Sequence, residues 1–335
     1  MPISIRQRAR VGMYLFNQRL HKREKFPLLV ELEPLFACNL ACAGCGKIQY
    51  PAQILKQRMT VERAVAAIEE SGAPMVSIAG GEPLIHPEIH LIIAELIKRK
   101  KFVYLCTNAL LMQKKLHLFR PSPYFAWAVH IDGLRERHDE SVCEEGVFDK
   151  AVEAMKAAKA TGFRVTTNST FFSSDSPQSI RAVLDFLNDE LKVDSMMISP
   201  AYAYWKAPDQ DHFLGIEETR ALFTAAFAGG KRKAWRLNHS PLFLDFLEGK
   251  VDFECTPWGI PSYSIFGWQR PCYLQADGYC QTYRELVDTT DWSNYGRHSG
   301  NVQCRNCMAH CGYEPTAVLA TTSSLKESLR AMVGH

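Results

Sequence analysis

Three cysteines with short, regular spacing stand near the amino end of the sequence, at Cys38, Cys42 and Cys45, directly after an apolar run. Three thiolates on one short loop can hold three corners of a cubane iron–sulfur cluster and leave the fourth iron open to a substrate or cofactor. Structural zinc takes four protein ligands, and no fourth Cys or His lies within a few residues. The spacing favours an iron–sulfur cluster, with zinc or buried thiols as the alternatives.

A second motif follows the next apolar run, Met75–Ala79, and consists of Gly80, Gly81, Glu82 and Pro83. Two glycines let a ligand approach the backbone closely, and the carboxylate can meet an ammonium group. An ordinary Gly-Gly turn is the alternative when this motif is taken alone.

Together the two motifs resemble the radical S-adenosylmethionine (SAM) superfamily, in which a CxxxCxxC loop and a GGEP segment occur in this order; the resemblance covers most of residues 28–200. It implies that the open iron chelates the amino and carboxylate groups of SAM, and that one electron then cleaves SAM to a 5′-deoxyadenosyl radical. Glu82 would face the methionine ammonium. The other residues expected near SAM are Thr107, Asn108, His130, Asp132 and Asn168.

Six strand–helix units surround these motifs and predict a parallel sheet. The predicted strands are Leu28–Glu33, Met75–Ala79, Phe102–Thr107, Phe125–Asp132, Arg164–Thr170 and Ser195–Ser199, and the predicted helices include Thr60–Glu70, Pro87–Lys100, Phe148–Thr161 and Pro177–Leu191. The expected fold is α/β, a partial (β/α)6 TIM-like barrel of the radical SAM type. Ligands of such folds gather at the carboxyl ends of the strands, where the motif residues fall. Glu31 and Glu33 share one face of the first strand and predict an ion pair with Arg or Lys.

Composition excludes several function classes. The chain has 335 residues, 47% of them hydrophobic, and a net charge of +3, which is too small to indicate nucleic-acid binding. Residues 1–25 predict a basic amphipathic helix whose apolar stretch is too short for a signal peptide or membrane span. We therefore expect a cytoplasmic protein, with peripheral contact at the inner membrane face as one role of this helix and packing on the domain as the other.

Eleven cysteines in a cytoplasmic protein indicate metal binding or catalysis rather than disulfides.

A second group of cysteines lies toward the carboxyl end, at Cys255, Cys272, Cys304, Cys307 and Cys311. Its first half resembles the twitch and SPASM auxiliary-cluster domains that follow many radical SAM barrels, and its second half is shorter than a full SPASM pattern. We expect an auxiliary 4Fe-4S cluster or a zinc ion there. The expected organisation is a basic helix (1–25), the barrel (26–215), a helical linker (216–250) and a small Cys-rich domain (251–335).

The whole chain also resembles the adenosylhopane synthase family of hopanoid biosynthesis, through segments such as Phe36–Leu40, Val129–Gly133 and Cys307–Glu314. The resemblance implies that SAM is a consumed co-substrate and that its adenosyl radical adds to the alkene of a hopene such as diploptene. Cys106 would then supply the hydrogen atom that saturates the product. Free cysteine is often simply buried, which is the alternative for this residue.

The partners implied by this resemblance are a hopene lipid and an electron donor such as flavodoxin or ferredoxin. Tyr202, Tyr204 and Trp205 could line the pocket for the hydrocarbon, or serve as core. The second hypothesis is a radical SAM enzyme that modifies a peptide, for which the auxiliary cysteines are the supporting feature. The third is a zinc-stapled binding module without catalysis.

Overall fold

A computed structural model describes residues 3–204 and 206–322. Its strands form one nine-stranded sheet in the order β6-β5-β4-β3-β2-β1-β7-β8-β9. The strands are β1 Leu29–Glu33, β2 Met75–Ile78, β3 Phe102–Thr107, β4 Phe125–His130, β5 Arg164–Phe171, β6 Ser195–Pro200, β7 Ser262–Ser264, β8 Gly267–Cys272 and β9 Gln275–Cys280. Strands β1 to β6 are parallel neighbours, which confirms the partial barrel with six strands.

Alternation along the strands separates the two faces of this barrel. Val30, Val76, Val103 and Phe125 are in register across β1 to β4 and are all buried in the main core. Successive side chains of a strand point to opposite faces, so the intervening register line carries different residues to the barrel interior. That line includes Glu31, Ser77 and Tyr104.

The helices of the described chain are α1 Ile5–Leu20, α2 Ala52–Leu55, α3 Val61–Ser71, α4 Ile89–Lys98, α5 Met112–Lys115, α6 Arg135–Val142, α7 Val147–Ala160, α8 Pro177–Asp185, α9 Ile216–Phe227, α10 Lys231–Ala234, α11 Pro241–Leu247, α12 Tyr283–Thr289 and α13 His310–Thr321. Predicted helix ends agree within two residues for α3, α4 and α7. A π-helical turn at Phe186–Glu190 continues α8. None of the described helices combines the length and hydropathy needed to cross a membrane.

The last three strands, β7 to β9, were not predicted from the sequence. β7 lies parallel to β1, and β8 and β9 follow it as antiparallel strands, so the Cys-rich segment extends the barrel sheet. Helix α1 covers the opposite end of the barrel interior, where the Gln7 amide donates to the Tyr104 hydroxyl at 2.8 Å. The domain boundaries predicted from the sequence stay predictions. The predicted first and last domains, 1–25 and 251–335, extend beyond the described residues, and Trp205 lies outside them.

Candidate active site

A cavity of about 910 Å³ runs through the barrel interior. Its wall reaches from α1, through residues in the middle of the strands such as Glu31 and Ser77, to the loops after the strands. The predicted site residues on this wall are Cys38, Cys42, Cys45, Gly80, Gly81, Glu82, Cys106, Thr107, Asn108, His130, Asp132, Asn168 and Cys311. The structure therefore brings most of the predicted site into one chamber.

Pro83 does not line this cavity, although the sequence analysis placed it in the SAM site. It is buried and opens the short 3-10 turn Pro83–Ile85 that follows Glu82. A proline fits the first position of such a turn because its φ angle is already fixed and its missing N–H would have no partner there. Its role is therefore to shape the loop.

The amino-terminal cysteine loop follows β1 and presents three thiols to the cavity. Cys38 and Cys42 pack against Leu40 and Val142, and the Leu40 amide donates to the Cys38 Sγ at 3.4 Å. Burial raises the pKa of Cys38 to about 11, and burial together with the neighbouring thiols raises the pKa of Cys42 as well. Three thiolates so close repel one another unless a cationic group offsets their charge, so this donor set fits an iron–sulfur cluster.

The two glycines bring the loop after β2 against the cysteine loop. A Cβ at Gly81 would lie 2.0 Å from the Ala37 carbonyl oxygen, and one at Gly80, whose φ is +110°, would lie 2.3 Å from the Leu35 carbonyl oxygen. The Gly81 amide donates to Leu35 at 3.0 Å, and the Glu82 amide donates to Ala37 at 2.8 Å. Only glycine permits this contact between the two loops.

Glu82 connects these loops to the end of β3. Its Oε1 accepts from the Leu84 amide and the Thr107 hydroxyl, and its Oε2 accepts from the Asn108 amide, each at 2.9 Å. Burial outweighs these donors and raises the pKa of Glu82 to about 7. The Asn108 side chain in turn donates to Asn39 on the cysteine loop at 2.9 Å. The carboxylate thus links the loop after β2 to the end of β3 and still lines the cavity, and Asn108 extends the contact to the cysteine loop.

The remaining predicted SAM contacts lie across the chamber. His130 Nε2 and Asp132 Oδ2 are 2.8 Å apart, and Asp132 Oδ1 accepts from the Thr170 amide at 2.8 Å. Asn168 is the register partner of His130 on β5. Burial opposes ionisation of His130, but the adjacent Asp132 outweighs it and raises the pKa of His130 above its usual range. The pair offers polar contacts to a ligand, and its assignment to SAM stays a prediction.

Cys106 lies on the cavity wall beside a residue that the sequence analysis did not single out. Its Sγ is 3.4 Å from the Ser77 hydroxyl. Burial is the largest influence on this thiol and raises the pKa of Cys106 to about 12, so the sulfur keeps its hydrogen at neutral pH. Tyr104, Ala126 and Ala128 form the small apolar cluster against which it packs.

A buried ion pair lies at the carboxyl end of β1, whose last residue is Glu33. Lys47 Nζ lies 2.6 Å from Glu33 Oε1, and both side chains are almost fully buried. The same ammonium lies 4.3 Å from the centre of the Tyr273 ring. This confirms the predicted ion pair of Glu33, whereas Lys47 and Tyr273 were missed. The sequence did offer one indication of Lys47, because this lysine stands two residues after the last cysteine of the loop, Cys45.

The carboxyl-terminal cysteines are brought near one another, though only Cys311 reaches the cavity. Burial is the largest cause that raises the pKa of Cys255, and the charges of Cys307 and Cys272 add to it. The absence of a side chain at Gly312 leaves room for the Cys255 Sγ, and Cys304 Sγ accepts from the Gln275 amide at 3.0 Å.

In residues 3–204 and 206–322, no group of three Cys, His, Asp or Glu side chains has the geometry to coordinate one metal ion. The soft donors at both cysteine groups match those that iron–sulfur clusters and zinc require.

Two family models match the sequence. Residues 32–187 match the radical SAM superfamily, and residues 196–331 match a domain of unknown function, DUF3463. The second match begins inside β6, so it includes the last barrel strand as well as the Cys-rich segment.

Curated relatives are similar over part of the chain. Fe-coproporphyrin III synthase of Methanosarcina barkeri is 23% identical over 55% of this chain and 46% of its own length. A GTP 3′,8-cyclase of Chlorobaculum tepidum is 25% identical over 57% of this chain and 59% of its own. The matched part spans about half the length of these relatives.

Solved structures share the fold at low sequence identity. SuiB of Streptococcus suis, bound to S-adenosylmethionine, has a TM-score of 0.67 at 17% identity, over 88% of this chain and 74% of that one. The anSMEcpe structure with bound AdoMet and the Cp18Cys peptide has a TM-score of 0.53 at 17% identity, over 88% of this chain and 95% of that one.

These similarities agree with the cysteine loop, the Gly-Gly-Glu contact and the six parallel strands. The superfamily implies a 4Fe-4S cluster and SAM, and the Cys-rich segment suggests auxiliary clusters. The chain is a member of the radical SAM superfamily that carries a carboxyl-terminal DUF3463 domain.

Proposed function

We propose that this enzyme joins the adenosyl group of SAM to the alkene of a hopene such as diploptene and so forms adenosylhopane. The observation that carries the proposal is a single chamber that combines the three thiols of the cysteine loop, a protonated buried thiol at Cys106 and a long, mainly apolar wall. The resemblance of the whole chain to the adenosylhopane synthases supports the same reaction.

The size and lining of the chamber suit a polycyclic hydrocarbon. Ligand pockets span about 300–1,000 Å³, and a cavity of about 910 Å³ stands at the upper end of that range. Apolar side chains line its length, among them Leu15, Leu28, Met75, Ile260 and Phe213. Tyr202 and Tyr204 also line it, and Tyr204 at the same time belongs to a buried cluster against which Tyr202 packs. A hopene in this chamber would bury apolar surface against these side chains, which is the main source of affinity for such a ligand.

The cluster and SAM would supply a 5′-deoxyadenosyl radical, whose addition to a terminal alkene forms one carbon–carbon bond and leaves an unpaired electron on the more substituted carbon. The enzyme's own part is to hold the alkene near the cysteine loop, exclude water and deliver one hydrogen atom. Cys106 is suited to deliver it because burial keeps the thiol protonated and Ser77 holds the sulfur in place. An electron donor of the flavodoxin or ferredoxin class and one proton would restore the thiol.

Peptide modification is the second candidate, and the comparisons with solved structures favour it. SuiB bound to the precursor peptide SuiA has a TM-score of 0.64, and the anSMEcpe structure also holds a peptide. The carboxyl-terminal cysteines are compatible with this candidate as well. It differs in chemistry, since hydrogen abstraction from a peptide releases free 5′-deoxyadenosine.

Product analysis separates the two candidates. The reconstituted enzyme is incubated anaerobically with SAM, a reductant and diploptene. The products are then separated by chromatography and identified by mass spectrometry. We expect an adenosine–triterpene adduct in proportion to the SAM consumed. Free 5′-deoxyadenosine without adduct, at every diploptene concentration tested, would reject the adenosyl transfer and leave peptide modification as the candidate.

A further inference from the structure

Helix α1 has one face against the body of the protein. Gln7, Leu15 and Gln18 are buried on this face. Leu15 packs with Phe26 and Leu28. This contact fixes the orientation of the helix, because α1 cannot rotate about its axis without exposing these side chains.

The opposite face of α1 is apolar and open to solvent. Ile5, Met13, Phe16 and Leu20 are 75%, 63%, 61% and 66% exposed. At 3.6 residues per turn they lie within an arc of about 80°, centred opposite the buried face. Among residues 3–204 and 206–322 only one other large hydrophobic side chain, Val302 at 71%, is as open to solvent, and it lies on another element. A contiguous apolar stripe of this kind marks an interaction surface.

Basic residues border the apolar stripe on both sides. Arg6 and Arg10 lie along one edge, and Lys22 and Arg23 follow the end of the helix. Arg19 lies along the other edge, where its guanidinium also donates to the Thr322 carbonyl oxygen at 2.8 Å. Within residues 1–25 the sequence has a single acidic residue, Glu24. Apolar residues flanked by arginine are the pattern of helices that lie in the surface of an anionic membrane.

The same helix lines one end of the cavity. Val11, Gly12 and Leu15 belong to the cavity wall together with Leu28 and Met75 from the starts of the strands. A partner bound to the outward face of α1 would therefore lie next to the apolar end of the chamber.

We propose that the outward stripe of α1 docks on an anionic phospholipid bilayer, with Ile5, Met13, Phe16 and Leu20 inserted among the acyl chains and the basic residues at the headgroups. A second copy of the chain fits the stripe less well, because a symmetric pairing of two α1 helices would bring their arginines together. The proposal goes beyond the reaction and does not depend on it.

Binding to vesicles tests the proposal with the full-length protein. Vesicles of phosphatidylglycerol and phosphatidylcholine are compared with vesicles of phosphatidylcholine alone in a flotation assay, at low and high salt. We expect binding to the anionic vesicles that weakens at high salt. The double variant Met13→Ser/Phe16→Ser should lose about tenfold or more in vesicle affinity. The matched control is Val302→Ser, which changes an equally exposed apolar residue elsewhere and should bind as the parent does.

Two outcomes would overturn the proposal. One is the absence of binding to anionic vesicles at low salt by the parent protein. The other is a concentration-dependent dimer that the double variant abolishes while its vesicle binding is unchanged, which would assign the stripe to a second copy. Circular dichroism of each variant verifies the fold, and because both substituted side chains are mostly exposed, the variants should fold as the parent does.

Discussion

At the scale of single residues, the proposed reaction depends on Cys106. Replacement by alanine removes the thiol whose sulfur lies 3.4 Å from the Ser77 hydroxyl on the cavity wall. We expect Cys106→Ala to consume SAM at a rate within a few fold of the parent and to lose most of the saturated adduct, because the carbon radical then has no hydrogen donor. Mass spectrometry of the products measures this. Cys280→Ala is the control, since Cys280 is a buried thiol away from the cavity. An unchanged yield of saturated adduct would remove Cys106 from the mechanism.

Lys47 gives a prediction about stability at the same scale. Its removal would leave the Glu33 carboxylate buried without its cation, and breaking a buried pair from one side costs about 3–5 kcal/mol. We expect Lys47→Met to lower the free energy of unfolding by that order in urea titrations. The double variant Lys47→Met/Glu33→Gln should regain part of the lost free energy of unfolding, because it removes the buried carboxylate that has no cation beside it. Equal stability of the single variant and the parent would show that the Lys47–Glu33 pair does not stabilise the fold.

Individual site residues differ in how readily the sequence predicts them. The thiols, glycines and Glu82 of the two amino-terminal motifs stand at spacings that carry the chemistry. All of them reach the cavity, whereas Pro83 of the second motif does not. Ser77 and Tyr273 have no such motif. Ser77 meets Cys106 only because β2 and β3 are adjacent, and Tyr273 meets Lys47 only because the late strands return to β1. Contacts between distant segments require the tertiary structure.

At the scale of elements, the contact between the loops after β1 and β2 is the most sensitive part of the site. A methyl group at Gly81 would collide with the Ala37 carbonyl, which belongs to the cysteine loop. We expect Gly81→Ala to lower the iron content of the reconstituted enzyme at least severalfold, because the loop must move. Iron and sulfide assays measure this. Gly215→Ala is the control, since its new methyl group would meet only Glu218 at an ordinary distance of 3.4 Å. Full iron content in Gly81→Ala would show that the contact is dispensable.

The elements of the barrel were predictable, and the late strands were not. Strands β1 to β6 are short segments rich in apolar and β-branched residues that alternate with helical patterns, which is typical of repeated strand–helix units and a parallel sheet. β7 to β9 instead contain Ser262, Gln269, Pro271 and Gly278, and glycine and proline are depleted in strands. Their pairing is set by β1, far away in the sequence. Local pattern therefore did not indicate them.

At the scale of the whole molecule, the carboxyl-terminal cysteines join the Cys-rich segment to the barrel. The segment's first strand pairs with β1, and Cys311 lies in the cavity wall. We expect Cys272→Ser and Cys307→Ser to lower the metal content of the purified enzyme and to lower its Tm by several degrees, because metal binding to such ligands contributes to folding. Cys280→Ser is the matched control, since serine can still accept the hydrogen bond of Arg270. Unchanged metal content in both variants would contradict an auxiliary metal centre.

In the proposed reaction, one chamber adds an adenosyl radical to an alkene and saturates the product from a thiol. A thiol hydrogen exchanges with solvent, so the measurement is the mass of the adenosine–triterpene adduct formed anaerobically from SAM and diploptene in deuterium oxide. We expect an adduct that carries one deuterium at the more substituted carbon of the former alkene. An adduct without deuterium would contradict the thiol step, and free 5′-deoxyadenosine in place of any adduct would contradict the addition itself.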